Sequence, residues 1–138
     1  MRQAARGDIP GMHRVRMAVR ENRLTSSVIS KADYVAAIEQ HGRGWVIEQA
    51  GEIIAFAVGD ARDGNIWALF VDPAHERRGH GRRLHDAMAS WLRSRGLERL
   101  WLTTEPGTRA EKFYQAAGWK RAGGGTPDRQ ARYQLELK

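Results

Sequence analysis

The chain contains no cysteine. That absence excludes disulfide scaffolds, thiolate zinc sites, iron–sulfur clusters and cysteine nucleophiles. No apolar run approaches the roughly 20 residues needed to cross a bilayer. Met1 to Asp8 lacks the apolar stretch of a secretory signal. Repeats and low-complexity tracts are also missing. The nearest approach is Gly123-Gly124-Gly125 followed by Thr126-Pro127-Asp128, the composition of a surface loop. A soluble cytoplasmic chain without a membrane partner is expected.

What is present suits one domain over residues 1–138, since about 100–200 residues is the usual domain size. A chain of this length buries roughly two-thirds of its unfolded surface, enough for a core without staples. The five tryptophans sit among apolar neighbours, unlike those of a disordered chain. Lysine supplies only four of the 23 basic residues, so arginine carries most of the formal net charge of +7. A basic balance favours polyanionic partners. Most arginines are interleaved with Asp and Glu, as on a solvated surface. Arg77, Arg78, Arg82 and Arg83 instead cluster around two glycines.

The pattern along the chain predicts alternating helices and strands. A short strand is expected within residues 2–5. Asp8 as a capping acid, then Ile9-Pro10, opens a helix carried by Met12, Val15 and Val19 and ending near Arg20-Glu21-Asn22. Ser30 with Asp33 forms a capping box for a second short helix through Tyr34, Ala37 and Ile38, ended by Gly42 and Gly44. Trp45–Gln49 and Ile53–Val58 form a hairpin, with a further turn over 59–64. Ile66–Val71 is apolar on both faces, as in a central strand covered from both sides. Leu84, Ala87, Met88, Trp91 and Leu92 recur at helical spacing, and Gly96 stops that helix. Leu97–Thr104 is the next strand, so strand, helix and strand make a βαβ unit with a parallel pair. A last helix through Ala110, Phe113, Tyr114 and Ala117 ends at Gly118. Trp119–Ala122 and Ala131–Leu137 close as an antiparallel pair. The expected fold class is α+β in three layers, with a mixed, mostly antiparallel sheet.

Arg78-Gly79-His80-Gly81-Arg82 lies between a buried strand and a long helix. The first N–H groups of a helix have no intrahelical partner, and the helix dipole adds about half a positive charge there. Glycine lets the backbone approach a ligand closely, so a phosphate or pyrophosphate is the natural guest. A dinucleotide fingerprint fails, because Leu84 stands where its third glycine belongs. A P-loop fails for want of Gly-Lys-Ser/Thr. The five histidines, at 13, 41, 75, 80 and 85, lack metal-ligand spacing; His85 and Asp86 are adjacent and misdirected on a helix. No metal is expected.

Leu69-Phe70-Val71-Asp72-Pro73, then Gly79-His80-Gly81 and Arg82-Arg83-Leu84, resembles the acyl-CoA motif of the GCN5-related N-acetyltransferase (GNAT) superfamily. Thr108 to Tyr114 with Ala117-Gly118-Trp119 resembles that family's second conserved helix, and the element order matches along the chain. The resemblance implies a central parallel pair splayed to hold acyl-CoA. The pantetheine arm would pair with the backbone of Leu69, Phe70 and Val71. The pyrophosphate would sit on the turn Arg77, Arg78, Gly79, His80, Gly81 and Arg82, with His80 contributing only its backbone. Arg82, Arg83 or Lys112 would reach the outer phosphates. Tyr114 matches the general acid that protonates the leaving thiolate.

Two departures stand out. Glu76 occupies a position the family often gives to Gln or Arg. The Asn often found before the last helix is absent, with Gly107 and Thr108 in its place and Thr108 a candidate cofactor contact or a helix cap. Glu105 is the first candidate for the base that deprotonates the amine, ahead of Glu21 and Asp72. An N–H near Val71 would meet the oxyanion. Acetyl-CoA is the implied acyl donor, and a small-molecule primary amine the implied acceptor. The acceptor site would be shaped by the loop from Arg20 to Ser30 and by 123–130, where Arg20, Asn22 and Arg23 favour a polar or anionic molecule. A homodimer is left open. The competing readings are a non-catalytic acyl-CoA-binding module and a basic nucleic-acid-binding domain. Against the latter, the arginines cluster at one turn without interleaved aromatics.

Overall fold

The computed structural model describes residues 1–19, 29–123 and 130–137. The expectations placed on Arg20–Asn22, Arg23, the rest of the 20–28 loop and most of the 123–130 loop lie outside them.

Four strands form one antiparallel sheet in sequential order: β1 (Arg2–Gln3), β2 (Gly42–Gln49), β3 (Glu52–Asp60) and β4 (Ile66–Val71). A second antiparallel sheet contains β5 (Arg99–Thr104), β7 (Ala131–Glu136) and β6 (Lys120–Arg121), with β7 in the middle. The helices are α1 (Ile9–Ala18), α2 (Lys31–Val35, continued by a wider turn Ala36–His41), α3 (His80–Ser94) and α4 (Arg109–Ala116). β2–β4 present one face to a core with Met12, Val15, Tyr34 and Ile38 from α1 and α2. The other face packs with Leu84, Met88 and Leu92 of α3 and with Leu100, Leu102 and Tyr133 of the second sheet. This is the expected three-layer α+β arrangement. Leu84, Met88 and Leu92 are fully buried, each contributing up to about 1.5–3 kcal/mol.

Several boundaries move. Ser30 and Asp33 form the capping box: Ser30 Oγ accepts from Asp33 N at 3.2 Å, and Ser30 N donates to Asp33 Oδ2 at 2.8 Å. Asp8 does not cap α1 with its side chain. Its carboxylate accepts from Ala5 N and from Arg2, closing the preceding single turn, Arg6–Asp8. α1 ends at Ala18, because Val19 is extended. Gly42 and Gly44 do not stop α2; they begin β2. A Cβ on Gly42 would lie 1.8 Å from the carbonyl oxygen of Gly59, so only glycine permits that pairing. β3 accordingly runs on through Asp60, where a turn was expected, and β5 starts at Arg99 rather than Leu97. β6 is only Lys120–Arg121, since Trp119 is buried in the core instead.

The parallel pair is the most consequential feature. β4 and β5 are joined by a single parallel bridge, Asn65 to Trp101. Trp101 N donates to Gly64 O at 3.0 Å, and Asn65 Nδ2 donates to Trp101 O at 3.3 Å. Beyond this end the two strands belong to separate sheets. The β3–β4 pairing carries a bulge. Val58 pairs with Ala68 and Gly59 with Ile66, leaving Trp67 without a partner in register. Such an extra residue bends a strand and re-aims side chains.

Candidate functional site

The gap between β4 and β5 opens into a cleft of about 1400 Å³. One wall is β4, including Leu69, Phe70 and Val71; another is the end of β5 with Thr104, Glu105 and Thr108. The turn leading into α3 forms its floor through Arg77, Gly79, His80, Gly81 and Arg82, and Phe113 and Tyr114 of α4 border it. Of the residues expected on the β4 edge, the turn and Thr108, all but Arg78 border the cleft. Its guanidinium turns back to His75 Nδ1 at 3.5 Å. Arg83 is likewise absent from the lining, whereas Lys112 is part of it.

The turn has the geometry of an anion receptor. Gly79 is the N-cap of α3, with φ of 81°, and provides no side-chain cap. Arg77 also adopts a positive φ, 63°. The first α3-type bond runs from Arg83 N to Gly79 O. The N–H groups of His80, Gly81 and Arg82 therefore precede the hydrogen-bonded ladder, at the positive end of the dipole. A Cβ on Gly79 would meet open space, so here glycine serves the backbone angle. The orphaned donors and the elongated cleft fit a diphosphate carrying an extended arm.

The flanking charges are partly committed. Arg82 pairs with Asp86 at 3.1 Å, and Arg109 pairs with Glu76, the residue that departs from the family pattern. Asp72 borders the cleft but is held in place. Its carboxylate accepts from Ala74 N at 2.9 Å and from Arg14 at 3.3 Å, which suits a strand-ending turn. The His80 ring is buried beside the cleft, and neither ring nitrogen has a hydrogen-bond partner. Burial, then the charges of Arg83, His75 and Arg78, holds its pKa below the ordinary 6.5.

Tyr114 is buried against Phe113 and Trp119, with ring centroids 5.3 Å from each. Burial alone pushes its phenol well above the ordinary value of 10.0. The side chain therefore stays protonated and keeps a proton to donate. Behind it, Trp119 Nε1 donates to His85 Nε2 at 2.9 Å, and His85 Nδ1 lies 2.9 Å from Asp86 Oδ1. The adjacent pair His85 and Asp86 is thus in contact after all. A ring accepting at Nε2 carries its proton at Nδ1 and donates it to Asp86. This chain fixes Trp119, on which Tyr114 rests.

Thr108 caps α4. Its Oγ1 accepts from Glu111 N at 3.3 Å and donates to Glu105 O at 2.7 Å, so its proton is already engaged. Glu111 accepts from Gly107 N at 2.9 Å and from the Tyr133 hydroxyl at 2.7 Å. Glu105 is exposed at the cleft edge. Sequence reasoning passed over Arg16, a buried arginine bordering the same cleft. The signal was there: Arg16 stands four residues after Met12, within the apolar stripe of α1.

The pattern of the acetyltransferase (GNAT) family matches residues 9–119. Mycothiol acetyltransferase of Beutenbergia cavernae is 36% identical over 81 residues, 54% of this chain and 27% of that protein. The ribosomal protein bS18-alanine N-acetyltransferase of Haemophilus ducreyi is 34% identical over 70 residues, 49% of this chain and 48% of that protein. The match thus spans about a quarter of the first relative and about half of the second. The crystal structure of the Escherichia coli ribosomal-protein-S18-alanine N-acetyltransferase shares the fold with a TM-score of 0.76 at 20% identity, covering 97% of this chain and 90% of that one. PaiA N-acetyltransferase from Thermoplasma acidophilum, crystallised with coenzyme A, has a TM-score of 0.80 at 11% identity, covering 99% and 97%. With the family pattern matched over most of its length and the fold shared nearly end to end, the chain belongs to the GNAT family of acetyltransferases.

Proposed function

We propose that this chain, acting as a single catalytic domain, transfers an acetyl group from acetyl-CoA to the primary amine of a small molecule. The observation that carries this reading is the opening of β4 from β5 onto the uncapped start of α3. The N–H groups at Gly79–Arg82 would take the diphosphate. The exposed edge of β4, at Leu69–Val71, would pair with the amide-bearing pantetheine arm as a strand does. A donor so placed brings its thioester toward Tyr114.

The chemistry follows from the groups at hand. The amine must lose a proton to attack, and Glu105 at the cleft edge is the carboxylate proposed to receive it, directly or through a water. The amine nitrogen bonds to the thioester carbon, and the oxyanion faces a backbone N–H near Val71. When the C–S bond breaks, Tyr114 gives its proton to the departing sulfur. Burial makes this phenol a weak acid, but the same apolar surroundings make a thiolate a stronger base, so the transfer stays balanced. The nitrogen, cationic once bonded to carbon, loses its second proton and so restores the Tyr114 hydroxyl, leaving a neutral amide and the free thiol of coenzyme A. Thr108 serves this reading by ordering the β5–α4 corner through its cap.

Thiol release from acetyl-CoA, measured with a panel of primary amines, tests the proposal. Tyr114→Phe is expected to lower kcat about 100-fold while leaving coenzyme A affinity within about twofold of wild type. Unchanged turnover would remove the acid role from Tyr114. Tight coenzyme A binding with no turnover on any amine would favour the non-catalytic module. Strongly salt-dependent DNA binding without coenzyme A binding would favour the nucleic-acid reading.

A further inference from the structure

Arg16 is a buried cation without a counter-ion. The residue is 4% exposed, yet no carboxylate among the described residues pairs with it. Nη2 donates to Trp67 O at 3.3 Å and the guanidinium also interacts with the Tyr34 hydroxyl, while Nε and Nη1 are buried and make no hydrogen bond of ordinary geometry. The guanidinium carbon stands 4.8 Å from the Trp67 ring centroid, 5.0 Å from Phe70 and 5.7 Å from Tyr34. The neighbouring Arg14, by contrast, pairs with Glu52 at 2.9 Å and Asp72 at 3.3 Å.

A guanidinium keeps its charge in a protein, and removing it from water without an anion is costly. Aromatic faces offset part of that cost through the ring quadrupole. A ring face is a weaker partner for an N–H donor than an oxygen acceptor, so the unpaired donors still call for one. Arg16 borders the cleft beside Trp67 and Phe70, on the same strand whose edge is assigned to the acyl arm. The bulge at Trp67 contributes to this placement, since the residue left out of register is the one that stacks most closely on the guanidinium.

We propose that Arg16 receives a carboxylate on the acceptor, so that the substrate class is a primary amine bearing a carboxylate, an amino acid. The inference rests on the acetyl-transfer reading above and names its acceptor. A carboxylate is planar, and it supplies the in-plane acceptors that the unpaired N–H groups lack.

The test compares matched pairs, each an amino acid and its carboxamide, by thiol release from acetyl-CoA with wild type, Arg16→Lys and Arg16→Met. The expected result is a kcat/KM at least ~10-fold higher for the best amino acid than for its amide. The difference should be carried by KM, as loss of uniform binding is. It should shrink to within about twofold in Arg16→Met and persist in part in Arg16→Lys. Equal use of acids and amides by wild type would overturn the inference and leave acetyl transfer standing. So would a preference that survives in an Arg16→Met protein still able to bind coenzyme A. Should neither variant fold, the Nε–H resonance of wild-type Arg16 in the coenzyme A complex decides. A saturable shift with the amino acid and none with its amide is expected, and no shift with either overturns the assignment. A wild-type protein that neither binds coenzyme A nor releases thiol with any amine would refute the acetyl-transfer reading itself, and this inference with it.

Discussion

At the scale of single residues, the site places side chains in protonation states that suit their proposed tasks. His80 is the most direct to test. Its folded pKa lies below 6.5, so the folded chain resists a proton that the unfolded chain accepts. Acid therefore begins to destabilise the fold as pH falls through 6.5, and the loss is complete below the folded value. A diphosphate bound at Gly79–Arg82 would oppose the cationic neighbours and raise that value. An NMR titration of the His80 ring should show a midpoint below 6.5 in the free protein and an upward shift with coenzyme A. A midpoint that ignores coenzyme A would argue against an anion at this turn. Arg16 offers the complementary case, a group whose burial weakens the fold. Arg16→Met should raise stability by about 1 kcal/mol, because a buried charge without a counter-ion is replaced by an apolar chain of similar reach. Thermal unfolding should rise by roughly 4 °C. A drop would mean that the three aromatic contacts outweigh the cost of burial.

At the scale of elements, α3 depends on a residue with no side chain. Gly79→Ala introduces no clash, since the space around it is open, but forces an L residue to φ of 81°. That conformation costs about 1–2 kcal/mol. The turn should relax and misdirect its N–H groups, weakening coenzyme A binding about fivefold by calorimetry. Unchanged affinity would show that those groups do not hold the ligand. The elements were legible where spacing alone decides them: the stripe of α3, the Ser30–Asp33 box, the hairpin of β2 and β3. They were misread where long-range contact decides. Gly42 and Gly44 look like helix stops locally, but the approach of Gly59 O places them in a strand. Asp8 looks like the cap of α1, but Arg2 and Ala5 N claim its carboxylate. Most of the expected cofactor residues gather at one cleft because a contiguous motif carries them. Arg78 points away because consecutive residues of a tight turn cannot share one direction. Arg16 escaped notice because its meaning lies in three rings from α2 and β4, distant in sequence.

At the scale of the molecule, two antiparallel sheets touch through one parallel bridge and then part. The separation leaves backbone groups of β4 free to pair with something other than β5, while helices cover both faces of the first sheet. Among the described residues no helix is long and apolar enough to cross a membrane. What occupies the opening decides what the molecule does. Backbone amide shifts of the ¹⁵N-labelled protein, followed during titration with coenzyme A, test this most directly. Saturable changes concentrated at Leu69–Val71 and Gly79–Arg82 are predicted. Saturable binding that leaves both segments unmoved, or no binding at millimolar coenzyme A, would contradict it.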